Sequence, residues 1–281
     1  MYSISSKTDS IVNAMLSKVP ARFKTDMTKS MFKDAALGYV QSLSKIAPQI
    51  TASGTILGGA CVTPGGPLVG GLLTCAPGTL VAPDIDVKSA WTLGVHTTVV
   101  DGKTITGNTN TEYMQALRDV IASQARVAWM LWTKLWMTSA LAVAQGGVDA
   151  WISSVPPAPG PWTGGTIQPF VLAPTVGLGG TNASPALSTF VNTVVTTCKA
   201  TPLSITMPEG NKWTSTIINN KGPDGEMFVT AIAYGWFWLI NDFVTTVQVY
   251  DPTGASAVGI AAPVTGSITS GTIAGMKLML G

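Results

Sequence analysis

Three long stretches of this chain contain no charged residue. They run from Ile46 to Pro83, from Ala150 to Cys198 and from Pro252 to Met276, and together they cover 112 of the 281 residues. These uncharged segments are too broken by Gly and Pro to be membrane helices. Soluble loops of such length normally carry charges that keep them solvated and unpaired. The pattern therefore predicts that the segments lie against other protein, including other copies of the same chain.

Charge is also scarce in the chain as a whole. Charged residues make up 11% of the sequence, against about 25% in an ordinary soluble domain. Hydrophobic residues make up 46%, the mean hydropathy is +0.35, and the net charge of +2 gives no nucleic-acid footprint. A monomer this poor in charge would expose apolar surface and tend to associate, whereas assembly would bury that surface.

Helical spacing of apolar residues predicts five helices, at residues 10–17, 20–46, 112–145, 184–198 and 226–249. Pro20 suits the first turn of the second helix. The run from Val127 to Val148 in the third is apolar nearly all round, which indicates burial in protein or in lipid. At the end of the fifth, the Val- and Thr-rich run Val244–Tyr250 leaves a strand as the alternative.

Strand patterns are fewer. Alternation around the dipeptide Asp101-Gly102 predicts a β-hairpin at residues 93–106, and two more strands are expected at Leu203–Met207 and Trp213–Ile218. In the first uncharged segment the glycines allow short strands only. The expected fold class is α+β and helix-rich, with long apolar helices, a β-hairpin and extended Gly/Pro-rich arms.

The sequence suggests three parts, with one continuous domain as the alternative. Residues 1–83 hold the N-terminal helices and a first arm, residues 84–183 the hairpin, the long helix and a second arm, and residues 184–281 the last helices, strands and arm. Gly66–Gly71 resembles Gly160–Gly165, which indicates either a duplicated unit of about 90 residues or a chance likeness of Gly/Pro-rich composition.

Few residues are candidates for chemistry. His96 is the single histidine, so no site with two imidazoles can form, and its strand-like surroundings favour a polar residue on the outer face of a hairpin. Asp84 and Asp86 lie two apart, but no further acidic ligand follows at calcium-loop spacing. The Gly-rich runs lack the phosphate-binding motifs. The sequence therefore predicts no enzyme, no metal site and no cofactor.

The three cysteines, Cys61, Cys75 and Cys198, form neither a disulfide framework nor a zinc motif. Cys61 and Cys75 share one Gly/Pro-rich segment and could pair. The favoured alternative is that they act as small apolar filler.

Tryptophans supply the candidate interface residues. Trp129, Trp132 and Trp136 follow helical spacing on one face of the third helix, and aromatic anchors of this kind are enriched in interfaces. The alternative is an ordinary buried core. The full set of candidates is Trp129, Trp132, Trp136, Trp162, Trp236 and Trp238.

The overall style of the chain, rich in Thr, Gly, Ala and Val with few charges and a single histidine, resembles the structural proteins of tailed bacteriophages. The resemblance implies a capsid or tail component that is located in the virion after assembly in the host cytoplasm. Its partners would be copies of itself and other virion proteins, without nucleic acid. On this interpretation, removal of Pro252–Gly281 would leave a folded body unable to assemble.

Two other hypotheses remain open. The runner-up is a membrane-associated or membrane-inserting protein that uses helices near residues 127–148 and 227–241, although Lys134 and the shortness of the second stretch count against spans. The third is an enzyme with an unrecognised site.

Overall fold

A computed structural model describes residues 2–61, 74–76, 80–100, 103–135, 160–165, 170–171, 189–207, 209–250, 255–261 and 266–281. Six α-helices lie within these ranges. They are α1 (Thr8–Leu16), α2 (Asp26–Ile46), α3 (Val87–Ala90), α4 (Glu112–Leu135), α5 (Phe190–Ala200) and α6 (Gly225–Thr246). The chain is thus rich in helix, as the apolar periodicity predicts.

Helix α6 is the centre of the helical body. Helices α1, α2, α4 and α5 all contact it, and its residues are buried along most of its length. The ring of Phe190 in α5 lies 4.3 Å, centroid to centroid, from that of Trp236 in α6. A helix apolar on nearly every side is stable in water only with such cover, so its composition reflects a core position.

The start of α2 differs from the prediction. Pro20 is extended and precedes a short 3-10 turn at Ala21–Phe23, and α2 begins only at Asp26. The cap is Thr25, whose side-chain oxygen accepts a hydrogen bond from the Thr28 backbone N–H at 3.2 Å. A threonine side chain that satisfies a free N–H fixes the helix start better than a proline can.

Twelve strands are described, and all the ladders between them are antiparallel. Two pairs form separate hairpins: β4 (Val95–Val100) with β5 (Lys103–Asn108), and β8 (Pro202–Thr206) with β9 (Lys212–Thr216). Both hairpins confirm the strand predictions.

The other eight strands make one sheet. They are β1 (Thr51–Cys61), β2 (Thr74–Ala76), β3 (Leu80–Val81), β6 (Gly160–Gly165), β7 (Phe170–Val171), β10 (Gln248–Tyr250), β11 (Ala255–Ala261) and β12 (Gly266–Leu278).

Strand β12 lies at the middle of this sheet. It pairs with β1, β10 and β11, while β6 pairs with β11 and β7 pairs with β10. All three uncharged segments contribute strands, so segments far apart in sequence meet in one element. The expectation that the first uncharged segment allows short strands only is wrong, because β1 in that segment runs for 11 residues. In the third segment β12 runs for 13 residues.

The register explains how glycine-rich strands can be long. Opposite positions pair Gly54 with Ile273 and Ile56 with Gly271, and Ile268 lies between Gly59 of β1 and Gly259 of β11. A glycine weakens a strand because it offers no side chain to its neighbours. The register sets an isoleucine directly across from these glycines, and the backbone hydrogen bonds of the ladder need no side chain from either strand.

Helix α6 ends earlier than the main prediction. It stops at Thr246 and is followed by strand β10 at Gln248–Tyr250, which is the alternative that the Val- and Thr-rich run allows. Helix α4 begins at Glu112 as predicted. The last ten residues predicted for it, 136–145, and the first five predicted for the fourth helix, 184–188, lie outside the described residues.

One hydrophobic core joins the described parts. Its members run from Tyr2 and Ile4 through Ile85, Trp91 and Leu117 to Leu278, and so come from each of the three parts that the sequence suggests. The division into three parts stays a prediction. The duplication of about 90 residues also stays a prediction, since Gly66–Gly71 lies outside the described ranges.

The two ends of the chain meet. The Tyr2 N–H donates to the carbonyl of Met279 at 3.0 Å, and the Gly281 N–H donates to the carbonyl of Tyr2 at 3.0 Å. The Tyr2 hydroxyl donates to Asp242 at 2.7 Å, and Lys7 lies 2.8 Å from the same carboxylate. These bonds fix both termini onto α6.

Candidate assembly surfaces

The eight-stranded sheet concentrates the uncharged part of the sequence. Among its strand residues, only Lys277 is charged, and it lies opposite Thr51 at one end of the β1–β12 ladder. Neighbouring residues of a strand project to opposite faces, so neither face of the strands carries a charge beyond this end. The outer strands β2, β3, β6 and β7 also lack the charges that normally protect a sheet edge.

Three of the six candidate tryptophans lie in the core. Trp129 and Trp132 each expose 1% of their surface and Trp236 exposes none. The Trp129 indole N–H donates to the carbonyl of Pro83 at 2.9 Å. Burial within one chain is what the core alternative predicts, and these rings have almost no area left for a second copy in this conformation.

The other three have different positions. Trp238 is partly buried and packs against the core. The backbone of Trp162 lies in β6 opposite Ala257. Trp136 lies outside the described residues. An interface role for the six tryptophans stays a prediction.

Helix α4 carries an exposed apolar stripe that the tryptophan pattern does not include. Val127, Met130 and Leu131 expose 42%, 37% and 43% of their surface. They follow helical spacing, while Trp129 and Trp132 on the same helix are buried. The apolar character of this helix therefore serves both the core and an outer face.

A second exposed apolar surface lies on the hairpin β8–β9. Leu203 and Ile205 of β8 share a face with Trp213 of β9, which lies opposite Ile205, and Met207 directly follows β8. Leu203 is buried and Ile205 is partly buried, whereas Met207 and Trp213 are 42% and 46% exposed. The face thus continues from the core into solvent. Sequence reasoning missed Trp213, because Lys212 and Thr214 beside it give no sign of an apolar surface.

A methionine-rich cavity of about 260 Å³ opens between the start of α2 and the start of α6. Its apolar lining comes from three methionines, two phenylalanines and a valine: Val19, Phe23, Met27, Met31, Met227 and Phe228. Asp224 stands at its edge and pairs with Arg22 at 2.9 Å. The sequence gives no sign of this cavity, since its residues come from two distant parts of the chain.

The acidic pair near residue 85 has structural partners. Asp84 forms an ion pair of 2.6 Å with Arg126. Asp86 caps α3 by accepting from the Ser89 N–H at 3.0 Å and from the Ser89 hydroxyl at 2.6 Å, and these bonds lower the pKa of Asp86. Within the described ranges, no three His, Cys, Asp or Glu side chains come together as metal ligands.

The remaining chemical candidates are also placed. His96 lies in β4 opposite Gly107. Cys75 lies opposite Ile56 of β1. Ile56 and Cys61 are five positions apart on that strand, a distance of roughly 16 Å. A disulfide between Cys61 and Cys75 would therefore require backbone movement. Cys198 is a free, buried thiol, and burial raises its pKa to about 12.

One helical stretch has the length and apolar composition of a membrane span. Gly222–Thr246 has a hydropathy of 1.3 in its most apolar window, and 56% of that window is buried inside the described chain. Its helix, α6, is the centre of the helical body, and core helices of soluble proteins have the same composition. The stretch predicted near residues 127–148 extends beyond the described part of α4.

Comparison with known proteins finds no match for this chain among protein-family models, curated proteins or solved structures.

Proposed function

We propose that this chain is a structural subunit of a large protein assembly, a capsid or tail component of a bacteriophage virion. The observation that carries the proposal is the eight-stranded sheet, in which all three uncharged segments meet with Lys277 as the single charged strand residue. Apolar, uncharged surface of this kind is stable in water when other protein covers it. The uncharged segments are therefore proposed as the packing surfaces.

The outer strands of the sheet, as far as the structure describes it, support association between copies. Unpaired strand edges bind other strands unless charge, proline or a covering element prevents it. In β2, β3, β6 and β7 the sequence offers one proline, Pro161, and no charge. A neighbouring copy would extend the sheet through backbone hydrogen bonds, which do not require a particular side-chain motif.

The phage assignment itself comes from the overall style of the sequence. Few charges, Thr/Gly/Ala/Val-rich segments and the lack of a recognisable catalytic motif are typical of the structural proteins of tailed bacteriophages. The proposed partners are copies of this chain and other virion proteins, and the proposed location is the virion.

Sedimentation and electron microscopy of the purified protein test this proposal. We expect ordered particles, rings or tubes that pellet at high speed and resist mild detergent. A sharp monomer peak across the micromolar range, with no ordered species in micrographs, contradicts the proposal.

The membrane alternative has one observation in its favour, the apolar stretch at Gly222–Thr246. It predicts partition of the protein into the detergent phase and into liposome pellets. An assembly subunit stays in the aqueous phase, so the same preparation separates the two hypotheses.

A further inference from the structure

The exposed end of the hairpin β8–β9 and the methionine-rich cavity are complementary surfaces. We propose that Trp213 of one copy inserts into the cavity of a second copy, so that copies join through a repeated contact of hairpin and cavity. This inference rests on the proposed function and names one contact through which the subunits associate.

The cavity suits an aromatic side chain. Pockets for small molecules usually measure about 300–1,000 Å³, whereas this one measures about 260 Å³. Methionines adapt their shape to a guest and make favourable sulfur–aromatic contacts, and Met27, Met31 and Met227 line it with Phe23 and Phe228. Met27 is 45% exposed at the mouth, so an entering ring would cover it.

Trp213 is the matching guest. Among the side chains that the structure describes, it is the tryptophan with more than a third of its surface exposed, at 46%. It does not line the cavity of its own chain. The hairpin that carries the ring is anchored to the body, because the Thr206 N–H donates to Glu112 at 3.0 Å and Leu203 is buried at the base. An anchored hairpin loses little freedom on binding.

The charged residues beside the hairpin end and the cavity are compatible with the proposed contact. Glu209 and Lys212 lie in and beside the turn next to Met207 and Trp213. Asp224 lines the cavity and forms an ion pair of 2.9 Å with Arg22. Charges of both signs thus lie at each surface, so opposite charges can face each other, and copies with a net charge of only +2 repel one another weakly.

The contact joins two different surfaces of the same chain. Each copy can therefore provide one hairpin and accept another, and association continues from copy to copy. Contacts of this kind generate closed rings or open filaments, in contrast to the self-complementary contact of a simple dimer.

The test uses two variants of the full chain. Trp213→Ala removes the guest and Met27→Glu blocks the cavity with a residue that the start of a helix tolerates. Each variant alone should associate at least about thirtyfold more weakly than the wild type, as for loss of a central aromatic contact. Val95→Ala and Val95→Glu are the matched controls, since Val95 is 71% exposed on the other hairpin, and they should associate normally.

Mixing the two variants gives the decisive measurement. One intact hairpin and one intact cavity remain in the mixture, so we expect a discrete 1:1 dimer at concentrations where each variant alone is monomeric. Sedimentation velocity measures it, and circular dichroism checks that both variants are folded. Full assembly by Trp213→Ala or a mixture that stays monomeric overturns this inference while leaving the assembly proposal in place, whereas a wild type that stops at dimers contradicts both. A monomeric wild type overturns both.

Discussion

At the scale of single residues, two glycines in helices mark the closest packing in the body. A Cβ added at Gly38 of α2 would lie 2.6 Å from the Trp91 Cβ and 2.7 Å from its Cα. A Cβ at Gly235 of α6 would meet mainly the flexible end of Met15. Both glycines therefore allow helices to approach neighbours closely, but only the first faces backbone that cannot move aside.

We predict that Gly38→Ala destabilises the protein more than Gly235→Ala does. Alanine improves helix propensity by about 1 kcal/mol at either site, but overpacking costs about 1–3 kcal/mol where the neighbour cannot yield. Urea unfolding of the two variants measures the difference. Equal midpoints, or a less stable Gly235→Ala, would contradict this account of the Gly38–Trp91 contact.

At the scale of elements, β12 decides whether the sheet exists. It is the strand that β1, β10 and β11 all pair with, and Leu278 at its end belongs to the core. The sequence alone suggested that removal of Pro252–Gly281 would leave the body intact. With β12 in this position, we expect that removal to destabilise the body itself.

We predict that Thr272→Pro lowers the melting temperature more than Thr163→Pro. Thr272 lies between Thr55 of β1 and Ser256 of β11, so proline there removes one ladder hydrogen bond and sets its ring between two paired strands, at about 1–3 kcal/mol for the partner left unsatisfied. Thr163 pairs only with Ser256 within the described strands, and edge strands tolerate proline. Calorimetry compares the two, and similar melting temperatures would refute the central position of β12.

The helices and hairpins were predictable because their signals are local. Apolar spacing along α4 and α6, and the Asp101-Gly102 turn, each lie within a short window of sequence. The large sheet was not predictable, since its paired residues lie far apart in the sequence, as Gly59 and Ile268 do. The exposed apolar surfaces were missed for the same reason. The apolar character of Trp213 becomes visible only when the hairpin register aligns it with Leu203 and Ile205.

At the scale of the whole molecule, a buried thiol and buried phenol groups make the stability of the fold depend on pH. Burial raises the pKa of the Cys198 thiol from 9.0 to about 12. Burial likewise raises the pKa of the Tyr39 and Tyr113 phenols well above 10.0, and burial with the hydrogen bond to Asp242 does so for Tyr2. The folded chain therefore keeps protons that the unfolded chain loses in alkaline solution.

We predict that stability is complete below pH 9.0, the unfolded thiol value, and falls steadily as the pH rises above it. Each such group contributes a slope of up to about 1.4 kcal/mol per pH unit while only the unfolded form is ionised. Urea midpoints at a series of alkaline pH values measure the slope. Cys198→Ala should reduce this slope between pH 9.0 and pH 10.0, the pKa values of the thiol and the phenols in the unfolded chain. A urea midpoint that does not change with pH would be inconsistent with the burial of these groups.

The wide sequence separation of β1 and β12 also sets the order of events during synthesis. Strand β1 is made more than 200 residues before β12, an interval of roughly 10–40 s at ordinary translation rates. Throughout that interval β1 can pair with β2 and β3 but not with β12. One uncharged edge of β1 is therefore open to strands of other chains for that time, and the sheet closes only after β12 has been made.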